Sequence, residues 1–308
     1  MNRCTPTRMT RGPSASLLAG VLVVAFAAAL LAACGGSSGG SSSSPSSTVA
    51  VTASPTASPS PTMAPTVTPS PTTTLSLYFL RGEELGVAER RVPRTTMPAT
   101  AALTALLKSP SPAERAAGLT SAVPRGTRLL GLSIEGTTAR VDLSGQFAAG
   151  GGSLSMQARV AQVVYTLTRF PTIKAVDFLL DGGLVESLGG EGLVLDAGQT
   201  RADWRGFEPA IFVERPGVGA ILDSPFVLEG TASVFEATFA ARLVDAGDGE
   251  IASATIQASR GAPDRGRYRT TMTFSSVTAR GTLVVFSQSM EDGSRQNEVR
   301  IPVFFAEG

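Results

Sequence analysis

The chain has 308 residues, with 26 basic and 25 acidic side chains, no histidine and two cysteines. Without histidine, Ser-His-Asp and Cys-His catalytic sets and histidine-ligated metals are excluded. A formal charge of +1 gives no electrostatic footprint for nucleic acid. From the N-terminus, Arg3, Arg8 and Arg11 precede the uncharged run LLAGVLVVAFAAALL, Leu17 to Leu31. A positive segment, a short apolar stretch and small residues at a cut site describe a secretory signal. Fifteen residues fall short of the roughly 20 that a spanning helix needs.

The run ends in Leu31-Ala32-Ala33-Cys34. These residues resemble the lipobox of bacterial lipoproteins, which implies cleavage between Ala33 and Cys34 and a lipid on Cys34. Residues 1–33 are then a signal peptide, and the mature chain carries 23 basic against 25 acidic groups. From Gly35 to Thr74 no residue is charged, and Ser, Pro, Thr, Gly and Ala supply nearly everything. Too few apolar side chains are present to offset the ordering entropy, so 34–74 is expected to be a disordered tether. It would reach about 35 Å as coil and ~120 Å fully extended.

After the tether, LSLYFL (Leu75 to Leu80) reads as a buried strand, and Val87 to Arg94 as a more exposed one. Ala99, Ala102, Leu103, Leu106 and Leu107 share one helical face, with Thr96 as candidate N-cap and Pro110 as the stop. Arg128 to Ile134 and Thr137 to Leu143 alternate as a hairpin around Glu135-Gly136. A second helix capped by Ser153 or Ser155 buries Met156, Val160, Val163, Val164 and Leu167; the strand KAVDFLL follows. Strands, helix, hairpin, helix and strand make an α+β domain over 75–205, with the helices on one face of a sheet.

Three stretches carry a resemblance: Val123-Pro124-Arg125-Gly126-Thr127, Ala139 to Ser144, and Thr166 to Pro171 leading into VDFLLDG. Over about Leu75 to Leu188 the sequence resembles the GerMN domain of sporulation and spore germination lipoproteins. Ser109 stands where that family usually has glycine. The resemblance implies a surface-anchored, non-catalytic domain of the cell envelope, and it transfers no catalytic residue.

Beyond Glu208-Pro209 helical periodicity stops. Phe235, Ala237, Phe239, Ala241 and Leu243 alternate with polar or small residues, as do Tyr268, Thr270, Met272 and Phe274. Turn clusters such as AGDG, GAPDRG and EDGSRQN separate about seven strands, the pattern of an all-β immunoglobulin-like sandwich over 209–308. The stretches IFVERPGVGAILDSPFVLEGTASVFEA, RGRYRTTMTF and EDGSRQNEVRIPV resemble the immunoglobulin-like domain that often follows GerMN in bacterial lipoproteins.

Candidate chemistry is sparse. Ala105 and Pro171 stand three before Lys108 and Lys174, so no Ser-x-x-Lys nucleophile exists, and no glycine precedes a lysine to make a P-loop. Gly217-Val218-Gly219 starts a dinucleotide motif that Leu222 breaks. Asp245, Asp248 and Glu250 lack the spacing of an EF-hand loop and read as a hairpin turn. Asp177 and Asp181 could form an acid/base pair for glycan hydrolysis, although a solvated strand end accounts for them more simply. Arg265, Arg267 and Arg269 form a basic stripe on one strand, a candidate face for an anionic wall polymer. Trp204, the one tryptophan, reads either as an interdomain plug or as a ligand-stacking residue.

The expectation is a lipid-anchored protein on the outer face of the cell membrane, with no enzymatic activity, no cofactor and no nucleic-acid partner. It would serve as a binding or scaffolding module for an envelope protein or a cell-wall polymer. A peptidoglycan-binding lipoprotein is the first alternative, and a carboxylate-based wall hydrolase the second.

Overall fold

A computed structural model describes residues 71–189, 192–275 and 278–306. The signal peptide, Ala33, Cys34 and residues 34–70 of the expected tether lie outside them. Strand β1 (Thr72–Arg81) begins in the last threonines assigned to the tether and pairs along its whole length with β2 (Glu84–Pro93). Gly82, at φ +64°, supplies the left-handed residue that the tight link requires. Leu75, Leu77, Tyr78 and Phe79 are buried, so β1 is apolar on both faces, as a strand covered on two sides must be.

Helix α1 (Pro98–Leu107) buries Ala99, Ala102, Leu103 and Leu106, as the spacing predicts. Its N-cap is Met97, without a side-chain cap, and not Thr96; Pro98 occupies the first turn, where a missing N–H costs nothing. A second helix, α2 (Pro112–Ala116), is absent from the sequence reading because it is too short to show a period. Ser111 and Glu114 form a capping box at its start, and Arg90 donates to the same glutamate at 2.7 Å. Burial alone would raise the Glu114 carboxyl. Hydrogen bonds from Arg90 and Ser111 outweigh that and hold it below the ordinary range. Strand β3 (Leu119–Thr120) then pairs with β1.

The remaining strands of this domain form their own sheet. Strands β4 (Leu129–Glu135), β5 (Thr138–Leu143), β6 (Ala175–Leu180) and β7 (Gly183–Leu184) lie in that order, with β5 and β6 parallel. The single sheet expected from sequence is therefore two sheets. Helix α3 (Ser153–Leu167) is the reason: it touches both β1 and β6, and eleven of its fifteen residues are buried. An element packed on nearly every side serves two sheets at once. Its N-cap is Gly152, and not Ser153 or Ser155.

The polar residues buried on α3 do structural work. Thr166 accepts from the Tyr78 backbone N–H at 3.1 Å, and Gln162 donates to the Tyr78 carbonyl at 3.1 Å. Strand β3 pairs only with Leu80 and Arg81, so these side chains serve backbone groups that β3 does not reach. Arg159, 1% exposed, donates to the carbonyls of Phe147, Ala149 and Gly150 and pins the glycine loop. Along the β4 edge the expected burial is incomplete. Ala139, Val141 and Leu143 of β5 are buried, yet Leu130 and Ile134 of β4, the edge strand of this sheet, are 48% and 47% exposed.

Short pairs β8 (Ser187–Leu188) and β9 (Leu193–Val194) and a 3-10 segment, Arg201–Phe207, lead to the second domain. There β10 (Ile211–Arg215), β11 (Ile221–Leu222), β12 (Phe226–Ala232) and β13 (Thr238–Asp245) are followed by β14 (Glu250–Gln257), β15 (Gly266–Met272), β16 (Arg280–Gln288) and β17 (Arg295–Phe305). One sheet runs β10-β12-β15, the other β11-β17-β16-β13-β14. The all-β sandwich thus has eight described strands. Leu228, Tyr268 and Met272 of one sheet and Leu243, Leu283, Val285 and Ile301 of the other belong to its buried core. The alternation from Phe235 does not start a strand. Glu236 and Ala237 take positive φ in a 3-10 turn, Phe235 is left 62% exposed, and β13 begins at Thr238.

The two domains share one core cluster and one compact unit. Their backbones meet directly: Val218 donates to the Val87 carbonyl at 2.8 Å, and Glu89 donates to the Val218 carbonyl at 2.9 Å. Gly217 sits so close to β2 that an added Cβ would lie 3.0 Å from the Val87 carbonyl oxygen. Gly217 and Gly219 therefore serve an interdomain contact and hold no dinucleotide.

Candidate functional site

Where Arg169, just past α3, and the 3-10 segment of the first domain face β12 and β15 of the second, a cleft of about 750 Å³ opens. Seven arginines and four carboxylates line it. Its inner wall is an interdomain network. The Tyr78 hydroxyl donates to Glu214 at 2.7 Å, Arg201 pairs with the same carboxylate, and the Arg201 guanidinium lies 5.2 Å from the Tyr78 ring centre and 4.7 Å from that of Tyr165. Tyr165 donates to Glu208 at 2.6 Å, and Arg265 meets the other oxygen of Glu208 at 2.9 Å. Phe212 packs against both tyrosines with ring centres 6.0 Å apart.

Electrostatics follow from this burial. Desolvation alone would raise the Glu214 carboxyl, but the Arg201 charge and the hydrogen bonds from Tyr78 and Arg201 hold it below the usual glutamate range. Burial pushes the Tyr78 and Tyr165 hydroxyls far up, so both stay protonated and act as donors. Glu229 serves two arginines, Arg169 from the first domain at 3.0 Å and Arg269 from β15. Gly230 is part of the lining, and a side chain is excluded there because a Cβ would stand 2.0 Å from the Phe212 carbonyl oxygen.

Of the residues singled out from sequence, the basic stripe is the part that reaches this cleft. Arg265 precedes β15 and Arg269 lies on it, and each is paired with a carboxylate. Arg267 is exposed and has no ion pair among the described residues. Trp204 does not join the site: it is 7% exposed, and its indole N–H donates to Gln199 at 3.0 Å. Its ring lies beside that of Phe207, with centres 6.4 Å apart.

Asp177 accepts from the Gly198 N–H at 2.7 Å, and Asp181 accepts from the Gly145 N–H at 3.0 Å. Asp177, inside β6, ties the loop at Gly198, and Asp181, just past the strand, ties the segment that starts at Gly145. Asp245 accepts from Gly247 and Gly249, the turn expected of it, and no group of three His, Cys, Asp or Glu among the described residues could hold a metal ion. Sequence reasoning missed Arg169, Arg201, Arg205 and Arg260, which lie outside the Arg265 to Arg269 stretch and join it only in the fold.

The comparisons with known proteins agree with the division into two domains. Residues 76–186 match the family model described as Germane, sporulation and spore germination. Residues 210–294 match Gmad2, the immunoglobulin-like domain of bacterial spore germination. The chain carries a GerMN domain followed by a Gmad2 domain. Among solved structures, it is similar to the tandem GerMN domains of the sporulation protein GerM from Bacillus subtilis, at 20% identity and TM-score 0.39, covering 60% of each chain. The first GerMN domain of that protein is matched at 23% identity and TM-score 0.36, over 42% of this chain and 99% of the other. The GerMN–Gmad2 chain thus spans 60% of the length of the tandem-domain structure. No curated protein matches it.

Proposed function

We propose that this chain is an exported lipoprotein, anchored through Cys34 on the outer face of the cell membrane, whose GerMN–Gmad2 unit is a non-catalytic binding or scaffolding module of the envelope. The sporulation and germination descriptions of both domains support service in that process. The observation that carries the scaffolding reading is the seam between the domains. Backbone hydrogen bonds at Val218 and the buried Tyr78–Arg201–Glu214 network join the domains by more than a flexible hinge. A joined pair presents its surfaces in a set relation, as a scaffold must. The uncharged segment behind Cys34 would set the distance from the membrane. No helix among the described residues is long and apolar enough to cross a membrane.

Fractionation tests the anchor. Cys34→Ala should move the protein from the membrane fraction to the medium, or leave it uncleaved. A mature-size product that stays in the membrane fraction would remove lipidation from the proposal. Crosslinking in intact membranes tests the module: recovery of a defined envelope protein or wall polymer supports it, and turnover of a wall substrate by the purified full chain refutes it.

A further inference from the structure

We infer that the interdomain cleft binds a polyanion carrying phosphates in series, with Arg205, Arg260 and Arg267 as the recognising charges. This deepens the binding-module reading and rests on it. Four arginines of the cleft are engaged: Arg201 by Glu214, Arg265 by Glu208, and Arg169 and the exposed Arg269 by Glu229. That leaves Arg205, Arg260 and Arg267, all exposed and without a side-chain partner among the described residues, opposed only by Asp264. Arginine is the common cation of this chain, since Lys108 and Lys174 are its only lysines, so its use here carries no information. The placement does. Three like charges gathered on one cleft repel one another, and nothing in the fold requires them there.

Their origin narrows the ligand. Arg205 comes from the 3-10 segment packed on α3, Arg260 from the β14–β15 connection, and Arg267 from β15. A ligand meeting all three must present several anionic groups and must bridge the two domains. The volume of about 750 Å³ lies within the usual range for ligand sites. Guanidinium forks match phosphate oxygens in pairs, and each phosphate concentrates more acceptors than a carboxylate. A neutral glycan would need exposed ring faces. The tyrosine in the lining, Tyr268, is 4% exposed with its hydroxyl bound to the Phe212 carbonyl.

The test is calorimetric titration of the full chain with linear polyphosphate at about 50 mM salt and again at about 200 mM. Saturable binding is expected, weakening at least about tenfold across that range as counterions are released. Arg205→Gln/Arg260→Gln/Arg267→Gln should weaken it by about tenfold or more, and each single substitution by about threefold. The singles keep the test decisive should the triple variant not fold. Arg94→Gln/Arg125→Gln/Arg128→Gln removes the same charge from residues that do not line the cleft and should leave affinity within about twofold. Absence of binding at low salt, equal losses in both triple variants, or equal affinity for polyglutamate would overturn the inference. Any of these would leave the fractionation and crosslinking results untouched.

Discussion

Two sets of arginines occupy one cleft, and they differ in what the fold has done with them. Arg201, Arg169 and Arg265 are drawn inward, each against a carboxylate that is 18% exposed or less, and they close the seam between the domains. Arg205, Arg260 and Arg267 stay exposed and make no ion pair among the described residues. A buried charge must be paired or its desolvation is uncompensated, whereas an exposed one keeps its water and is free for a ligand. The same residue type therefore serves cohesion in one place and recognition in the other.

The largest effect should come from the inner set. Arg201→Met strips the partner from Glu214 and one side of the Tyr78 network. It should cost about 2 to 3 kcal/mol in denaturant unfolding, below the figure for a fully buried pair because Arg201 is 28% exposed. A loss under about 0.5 kcal/mol would show that the seam does not depend on the pair. Glu208→Ala is next. It removes the acceptor of Tyr165 and the partner of Arg265, at about 2 kcal/mol, measured the same way.

Acid sharpens the contrast. Glu214 and Glu114 have folded-state values held below the ordinary 4.5, so their contribution is whole above that pH and lost as pH falls through the lower folded values. Unfolding free energy should therefore decline from about pH 4.5 downward. Arg201→Met should make the decline shallower, because its Glu214 no longer resists protonation. An unchanged slope would dissociate Glu214 from Arg201.

The smallest effect belongs to the outer set. Arg205→Gln, Arg260→Gln and Arg267→Gln should each leave stability within about 0.5 kcal/mol, as exposed residues without partners do. Any one of them destabilising by more than about 1 kcal/mol would place that arginine in the cohesive set instead.

Much of the architecture was legible because burial imposes periods. Val141 and Leu143, or Leu243 and Phe239, alternate in sequence because they alternate across a sheet. The buried stripe of α3 was readable for the same reason, but the stripe was only one side of it. Gln162, Thr166 and Arg159 look like a solvent face and are buried, since each finds backbone groups to bind. The division of one expected sheet into two goes with α3 touching both β1 and β6. The cleft was legible only as the fragment Arg265 to Arg269. Its other members sit on elements up to a hundred residues away, and no local pattern links them.

From sequence alone came the order of the two domains, the GerMN resemblance and the immunoglobulin-like alternation, because each is written in contiguous stretches. Tertiary structure decided which charges are used up and which are free. That depends on distance across the domain seam, and Arg201 and Glu214, or Arg169 and Glu229, become neighbours only when apolar burial around Tyr78, Tyr165 and Phe212 brings the two domains together.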